Sequence, residues 1–219
     1  PDTFDAFLSG LAQKERANVR RARRKALSDF GDRIEIRRVG PDGELDPVIA
    51  DLEQVASKTY QRGLGAGFRA ADDRPLLRCA HEQGWLNAWV MYIDGAPCAF
   101  EIGHLYGETF FSSAKGFDPA FGRQRVGTFL HMEMLRDLCD DPRVRSIDFG
   151  FGDADYKRRY ATRHWLETDL VAYAPAIRPI LVGAVRNAVA GADQAARRLA
   201  GSDRIARVKR RWRNLRTPG

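Results

Sequence analysis

The 219 residues carry 36 Lys and Arg against 29 Asp and Glu, a net charge of +7, and 44% of them are hydrophobic. That balance suits one large hydrophobic core with an appendage, and it excludes a disordered chain, a collagen-like repeat or a solenoid. No apolar run approaches the roughly 20 residues that a bilayer-spanning helix needs, and the best run, Ile180 to Val185, is bracketed by Arg178 and Arg186.

In chain order, Phe4, Phe7, Leu8 and Leu11 recur at helical spacing, and the pattern continues through Val19, Ala22, Ala26 and Phe30. Gly31 stands where a helix C-cap belongs. Arg33 to Val39 alternates Ile34 and Ile36 with charges and predicts a half-buried strand, followed by a turn at Pro41-Asp42-Gly43. A helix is expected from Pro47 to Arg62 with Val48, Ile49, Leu52, Val55 and Tyr60 on its apolar face. The run Gly63-Leu64-Gly65-Ala66-Gly67 ends it in a hinge or lid loop, and a second helix is expected over Pro75 to Gln83.

Leu86 to Ile93, Ala96 to His104 and Thr109 to Lys115 read as three strands separated by Asp94-Gly95 and Tyr106-Gly107, an antiparallel meander. Trp85, Trp89 and Trp165 read as core or as wall of an acceptor pocket. A helix over Val126 to Leu138, a strand over Arg145 to Phe149 and a further strand over Leu166 to Tyr173 follow. Two helices close the chain, Pro179 to Ala200 and Ser202 to Leu215. This order predicts an α+β fold, a mixed and mostly antiparallel sheet flanked by helices, with a basic helical C-terminal tail.

Charge is unevenly spread. From Ala176 onward eleven Arg and Lys face two Asp, a local excess of +9, whereas the preceding 175 residues sum to −2. The natural division is therefore a domain over residues 1–175 and a basic amphipathic tail over residues 176–219. In Ser202 to Leu215, Ile205, Val208, Trp212 and Leu215 form one stripe among cations, the composition of a helix that lies on an anionic membrane surface; a helix packed on the domain accounts for it equally well. A second basic run, Arg20 to Lys25, suits an anionic partner or an ordinary solvated helix face. Cys79, Cys98 and Cys139 show no pairing pattern, and the four histidines show no metal spacing. A reducing, cytoplasmic setting and no metal are the expectation. Pro1 opens the chain without a signal-peptide pattern, and the missing initiator Met reads as a trimmed or partial chain.

Chemistry concentrates at two junctions. Arg123-Gln124-Arg125-Val126-Gly127-Thr128 lies between a strand and a helix, where first-turn N–H groups, the helix dipole and two Arg suit a pyrophosphate. An ordinary strand-to-helix turn explains the same stretch. Gly150-Phe151-Gly152-Asp153 follows the later strand and leads into Ala154-Asp155-Tyr156-Lys157. Lys115, at a strand end, reads as surface.

The meander followed by Gln124-x-x-Gly127 at a helix start resembles the acyl-CoA-binding core of the GNAT acyltransferase superfamily, although Phe129 stands where that pattern has a small residue. Residues 12–24, 114–121 and 147–160 resemble more specifically the CelD-like and FemAB-like acyltransferases, the last stretch through Asp148-Phe149-Gly150-x-Gly152-Asp153-x-x-Tyr156-Lys157. The resemblance covers about residues 3 to 175. It implies transfer of an acyl group, acetyl first, from acetyl-CoA or another acyl-CoA to an amine or hydroxyl of a small-molecule or saccharide acceptor, in exopolysaccharide or cell-envelope synthesis. Arg123, Gln124, Arg125, Val126, Gly127 and Thr128 would bind the donor. Lys157 would stabilise the oxyanion or lie on a solvated helix face, Tyr156 would hydrogen-bond the leaving group or pack in the interior, and Asp153 would hold or deprotonate the amine, or cap the next helix. An aminoacyl-tRNA donor, as FemAB-like relatives use, and a non-catalytic module that localises a polysaccharide-synthesis complex are the alternatives. Through its tail the protein would lie peripherally at the inner membrane face.

Overall fold

The structure is a computed structural model, and it describes residues 3–40, 42–63, 65–152, 154–166 and 176–200. The chain divides into two compact units, Pro1–His164 and Trp165–Gly219. In the first unit, the elements are α1 (Phe4–Gly10), α2 (Gln13–Phe30), β1 (Ile34–Val39), α3 (Leu45–Ala56), α4 (Tyr60–Gly63), α5 (Ala70–Glu82), β2 (Leu86–Ile93), β3 (Ala96–Tyr106), β4 (Thr109–Phe117), α6 (Val126–Asp140), β5 (Ser146–Asp148) and α7 (Asp155–Tyr160). The second unit contains α8 (Ile177–Ala200).

The strands form one sheet in the order β1-β2-β3-β4-β5, antiparallel except for the last pair. Every residue of β2 is buried, because helices cover both faces of the sheet. Alternation along the strand divides it between two cores. Trp89, Met91 and Ile93 pack with α1, α2 and α6, whereas Ala88, Val90 and Tyr92 pack with α3 and α5. The mixed, mostly antiparallel sheet flanked by helices is thus the architecture anticipated from the meander.

Several boundaries shift for local reasons. The opening helix is two helices, because Leu11 and Ala12 are extended and the Arg16 guanidinium takes the freed carbonyls of Ser9 and Leu11. The helix expected to run to Arg62 stops at Ala56, where the Ser57 and Thr59 hydroxyls donate to the carbonyls of Gln54 and Ala56. That turn rotates Tyr60 out of the apolar stripe, and it is 64% exposed. α5 begins five residues before Pro75, since the Asp73 carboxylate accepts the Arg69 N–H at 2.7 Å and starts the first turn early. The strand expected over Leu166 to Tyr173 lies outside the described residues apart from Leu166, which belongs to no element, and the helix expected over Ser202 to Leu215 lies outside them entirely.

The β3–β4 pairing shifts register between Ile102 and Gly103, leaving Ser113 as the extra residue of a bulge. Gly103 is there because nothing larger fits. A Cβ at this position would come 2.3 Å from the Phe111 carbonyl oxygen and 2.4 Å from the Phe110 ring. Gly103→Ala is therefore expected to destabilise the fold by about 3 kcal/mol, at the upper end for overpacking a core. A urea midpoint unchanged from the native chain would contradict this placement.

Candidate active site

The parallel pairing of β4 with β5 covers only Thr109 to Phe111 against Ser146 to Asp148. β5 then ends, and the chain turns away through Gly150 and Gly152, both at positive φ. β4 continues to Phe117 with no strand on that side among the described residues. The gap opens into a cleft of about 820 Å³, lined by Ser112 to Phe117, the head of α6, and Phe149, Tyr156 and Lys157 beyond the turn.

At one end of the cleft, a 3-10 turn over Pro119–Gln124 delivers the chain to α6. Asp118 starts that turn by accepting the Ala120 N–H at 2.9 Å and the Lys58 ammonium at 2.7 Å. Arg125 is the N-cap of α6 in left-handed conformation, and its side chain makes no capping hydrogen bond to the first turn. The guanidinium of Arg125 donates to the Asn18 amide oxygen on α2. Of the residues expected to bind a donor, Arg125, Gly127 and Thr128 line the cleft. Arg123 is exposed, Val126 is fully buried in the core, and Gln124 has a buried side-chain oxygen without a partner among the described residues. Phe129 is also a core residue, so the position that departs from the small-residue pattern faces the interior.

At the other end, the Asp148 carboxylate accepts the Gly150 N–H at 2.6 Å and closes the turn after β5. Lys157 reaches back from α7 and donates to the carbonyls of Gly150 and Phe151, each at 2.8 Å. Tyr156 is partly buried, and burial, assisted by the Glu101 charge, pushes its hydroxyl up to about 12. Asp153 lies outside the described residues.

Three residues of the cleft went unrecognised in the sequence. Lys115, expected at the surface, is only partly exposed and lines the cleft. Its ammonium stands 3.1 Å from the centroid of the Tyr156 ring and has no hydrogen-bond acceptor among the described residues. Desolvation lowers it to about 8, with Glu101 opposing that shift and Lys157 adding to it. Glu101 faces Lys115 across the β3–β4 ladder and is 2% exposed. His131, on the second turn of α6 and 4% exposed, places Nδ1 at 2.9 Å from both Glu101 oxygens. Burial alone would raise the Glu101 carboxyl, but the charges of His131 and Lys115 and the His131 hydrogen bond outweigh it and hold it below the ordinary range. A lone acid between Phe100 and Ile102, and a lone His between Leu130 and Met132, were the available signals, since a buried charge needs a partner. Among the described residues, no group of three or more His, Cys, Asp or Glu is placed to hold a metal ion.

Residues 13–158 match the family described as an acetyltransferase (GNAT) domain. No curated protein sequence matches the chain. Among solved structures, an aminoglycoside acetyltransferase from an uncultured soil metagenomic sample, in complex with trehalose, is similar with a TM-score of 0.49 and 11% identity, covering 68% of this chain and 99% of that one. A GNAT family acetyltransferase from Staphylococcus aureus gives a TM-score of 0.46 at 13% identity, covering 63% and 98%. A ribosomal-protein-alanine N-acetyltransferase from Brucella melitensis gives 0.44 at 10%, covering 64% and 99%.

The position of Lys115 has a consequence for stability. Its folded value of about 8 lies below the ordinary 10.5, so the unfolded chain holds the proton more tightly. Between those values stability rises with pH, and below pH 8 the fold carries the full cost of the buried ammonium. Lys115→Met is expected to raise Tm at pH 7, with the gain fading as pH approaches 10.5. Thermal melts of both proteins across that range check the sign; a Tm gain that grows with pH would contradict it.

Proposed function

The chain belongs to the acetyltransferase (GNAT) domain family, and we propose that it moves an acyl group, acetyl first, from an acyl-CoA to an amine or hydroxyl of a small-molecule or saccharide acceptor. The observation that carries this reading is the exposed edge of β4 from Ser112 to Phe117, which leads to the head of α6. An extended chain containing amides can pair with a strand edge as another strand does. A pyrophosphate suits the first turn of α6, where the N–H groups of Val126, Gly127 and Thr128 have no intrahelical acceptor and the helix dipole is positive. Arg125 supplies a cation beside them.

Acyl transfer needs a donor for the developing oxyanion and a proton for the departing sulfur. Among the described residues, Lys157 donates to the carbonyls of Gly150 and Phe151, which fixes its direction, and it is assigned to the reacting oxygen. Tyr156 stays protonated at neutral pH and is assigned to the sulfur. Asp153 is assigned to the acceptor amine. The order of glycines, acid and Tyr-Lys pair over residues 147–160 supports a CelD-like or FemAB-like subtype, and with it an envelope or exopolysaccharide acceptor.

The segment 176–219 is assigned to peripheral contact with an anionic membrane surface. No helix among the described residues is long and apolar enough to cross a bilayer. On α8, Ile177, Ile180, Leu181 and Val185 recur at helical spacing and are exposed. The cations that follow would each add about 1 kcal/mol near an anionic leaflet.

Two measurements test these assignments. Acetyl-CoA at about 100 times its Kd should stabilise the protein by about 2.7 kcal/mol and raise Tm accordingly. Gly127→Asp, which puts a carboxylate at the phosphate position, should abolish the rise. Gly127→Ala adds no charge and should retain it, with the Phe117 ring, 2.9 Å from the new Cβ, giving way. No shift with any CoA ester, together with a shift on adding charged tRNA, would replace the donor. Separately, the full chain should co-sediment with anionic liposomes at low salt and release at high salt, while a chain ending near Ala174 should stay in solution. Equal sedimentation of the two would remove the membrane role from the tail.

A further inference from the structure

We propose that His131 is the base that takes the proton of the attacking acceptor group, with Glu101 as the positioning residue that fixes its tautomer; this rests on the acyl-CoA reading above. The geometry starts with α6. His131 follows Gly127 by four residues, so both occupy the same face of the helix, and both line the cleft. The helix whose first turn receives the donor's phosphates therefore presents an imidazole to the same cavity one turn later.

Glu101 decides which nitrogen is available. An ionised carboxylate only accepts hydrogen bonds, and both of its oxygens are 2.9 Å from Nδ1. Nδ1 therefore carries a proton, and Nε2 holds the free lone pair in the neutral imidazole. Nε2 is buried and has no hydrogen-bond partner among the described residues. Around the imidazole stand the rings of Phe149, Tyr156 and Tyr160, with centroids 5.8, 5.8 and 5.4 Å from its own. A buried polar atom left unpaired among the described residues calls for a partner that binds there. An acceptor N–H or O–H directed at Nε2 provides one.

The step balances without another reagent. The acceptor atom attacks the thioester carbonyl carbon as its proton passes to Nε2, and Glu101 stabilises the imidazolium that forms, in the manner of a carboxylate–imidazole pair. The tetrahedral centre collapses, the C–S bond breaks, and the sulfur takes the Tyr156 proton. The imidazolium then reprotonates Tyr156, which restores both groups. The net products are the acylated acceptor and free CoA. The Lys115 ammonium, facing Glu101 across the β3–β4 ladder, also favours the ionised carboxylate.

The test uses the full chain, acetyl-CoA, and water as the probe in the acceptor's position, with free CoA measured by chromatography. The native protein should release CoA faster than solution hydrolysis. His131→Gln keeps an N–H for Glu101 but has no base, and should lower kcat about 100-fold with KM for acetyl-CoA and its effect on Tm unchanged. Glu101→Gln should lower kcat with the same split. His131→Ala should recover turnover on addition of free imidazole, which a purely structural role would not allow. The proposal is overturned if His131→Gln turns over at the native rate, or if the native protein binds acetyl-CoA yet releases CoA no faster than solution. Absence of any acetyl-CoA effect on the Tm of the native protein would instead remove the donor reading, and this proposal with it.

Discussion

The parting of β4 from β5 after Phe111 is the constraint on which the site depends. Strand N–H and C=O groups are obligatory hydrogen-bonding groups, and leaving a row of them open costs stability unless solvent or a ligand serves them. The sheet tolerates the opening because β4 is held along its other edge by β3 through Ala99 to Tyr106. The turn after β5 keeps close to the gap without closing it. Gly150 is at positive φ, and even a Cβ there would approach the Ser112 carbonyl oxygen to 3.3 Å. A side chain on that glycine would be strained by its backbone and crowded by β4.

The charges beneath the cleft set a second constraint. Glu101, His131 and Lys115 occupy a region that could have been packed with apolar residues, and a buried ion pair often stabilises no more than such packing would. Their arrangement makes chemical sense all the same. The carboxylate lies between an imidazole and an ammonium, the ammonium stands over an aromatic face, and one imidazole nitrogen has no partner among the described residues. Stability given up at a site that must bind and move protons is a familiar exchange.

The opening helix α2 shows how sequence charge can mislead about position. Its arginines Arg20, Arg21, Arg23 and Arg24 are exposed to solvent. The residues that reach the site are Asn18, which holds the Arg125 guanidinium at the head of α6, and Glu15, whose carboxylate is 3.6 Å from Arg159 on α7. The helix thus steadies two walls of the cleft through an amide and an acid, while its buried Val19, Ala22 and Ala26 seat it on the core. This supporting role is compatible with any anionic partner for its outer face.

Local patterning by itself determined most of the architecture. Runs rich in aromatic and β-branched residues from Leu86 to Lys115, with Asp94-Gly95 and Tyr106-Gly107 between them, specify a meander, because strand propensity and turn chemistry act over a few residues. The apolar spacing of Leu130, Met134 and Leu138 specifies α6 and its buried face in the same way. Where an element ended depended on individual hydrogen bonds, such as those of Ser57 and Asp73, that periodicity does not register. How the residues of the cleft pair was decided only by tertiary structure. Glu101 and His131 are 30 residues apart, Arg125 and Asn18 are 107 apart, and Lys115 meets Tyr156 across the gap in the sheet. Glu101, His131 and Lys115 looked unremarkable alone, a lone acid, a lone histidine, a lysine at a strand end. Burial against a particular partner, which no local pattern encodes, is what turned them into a site.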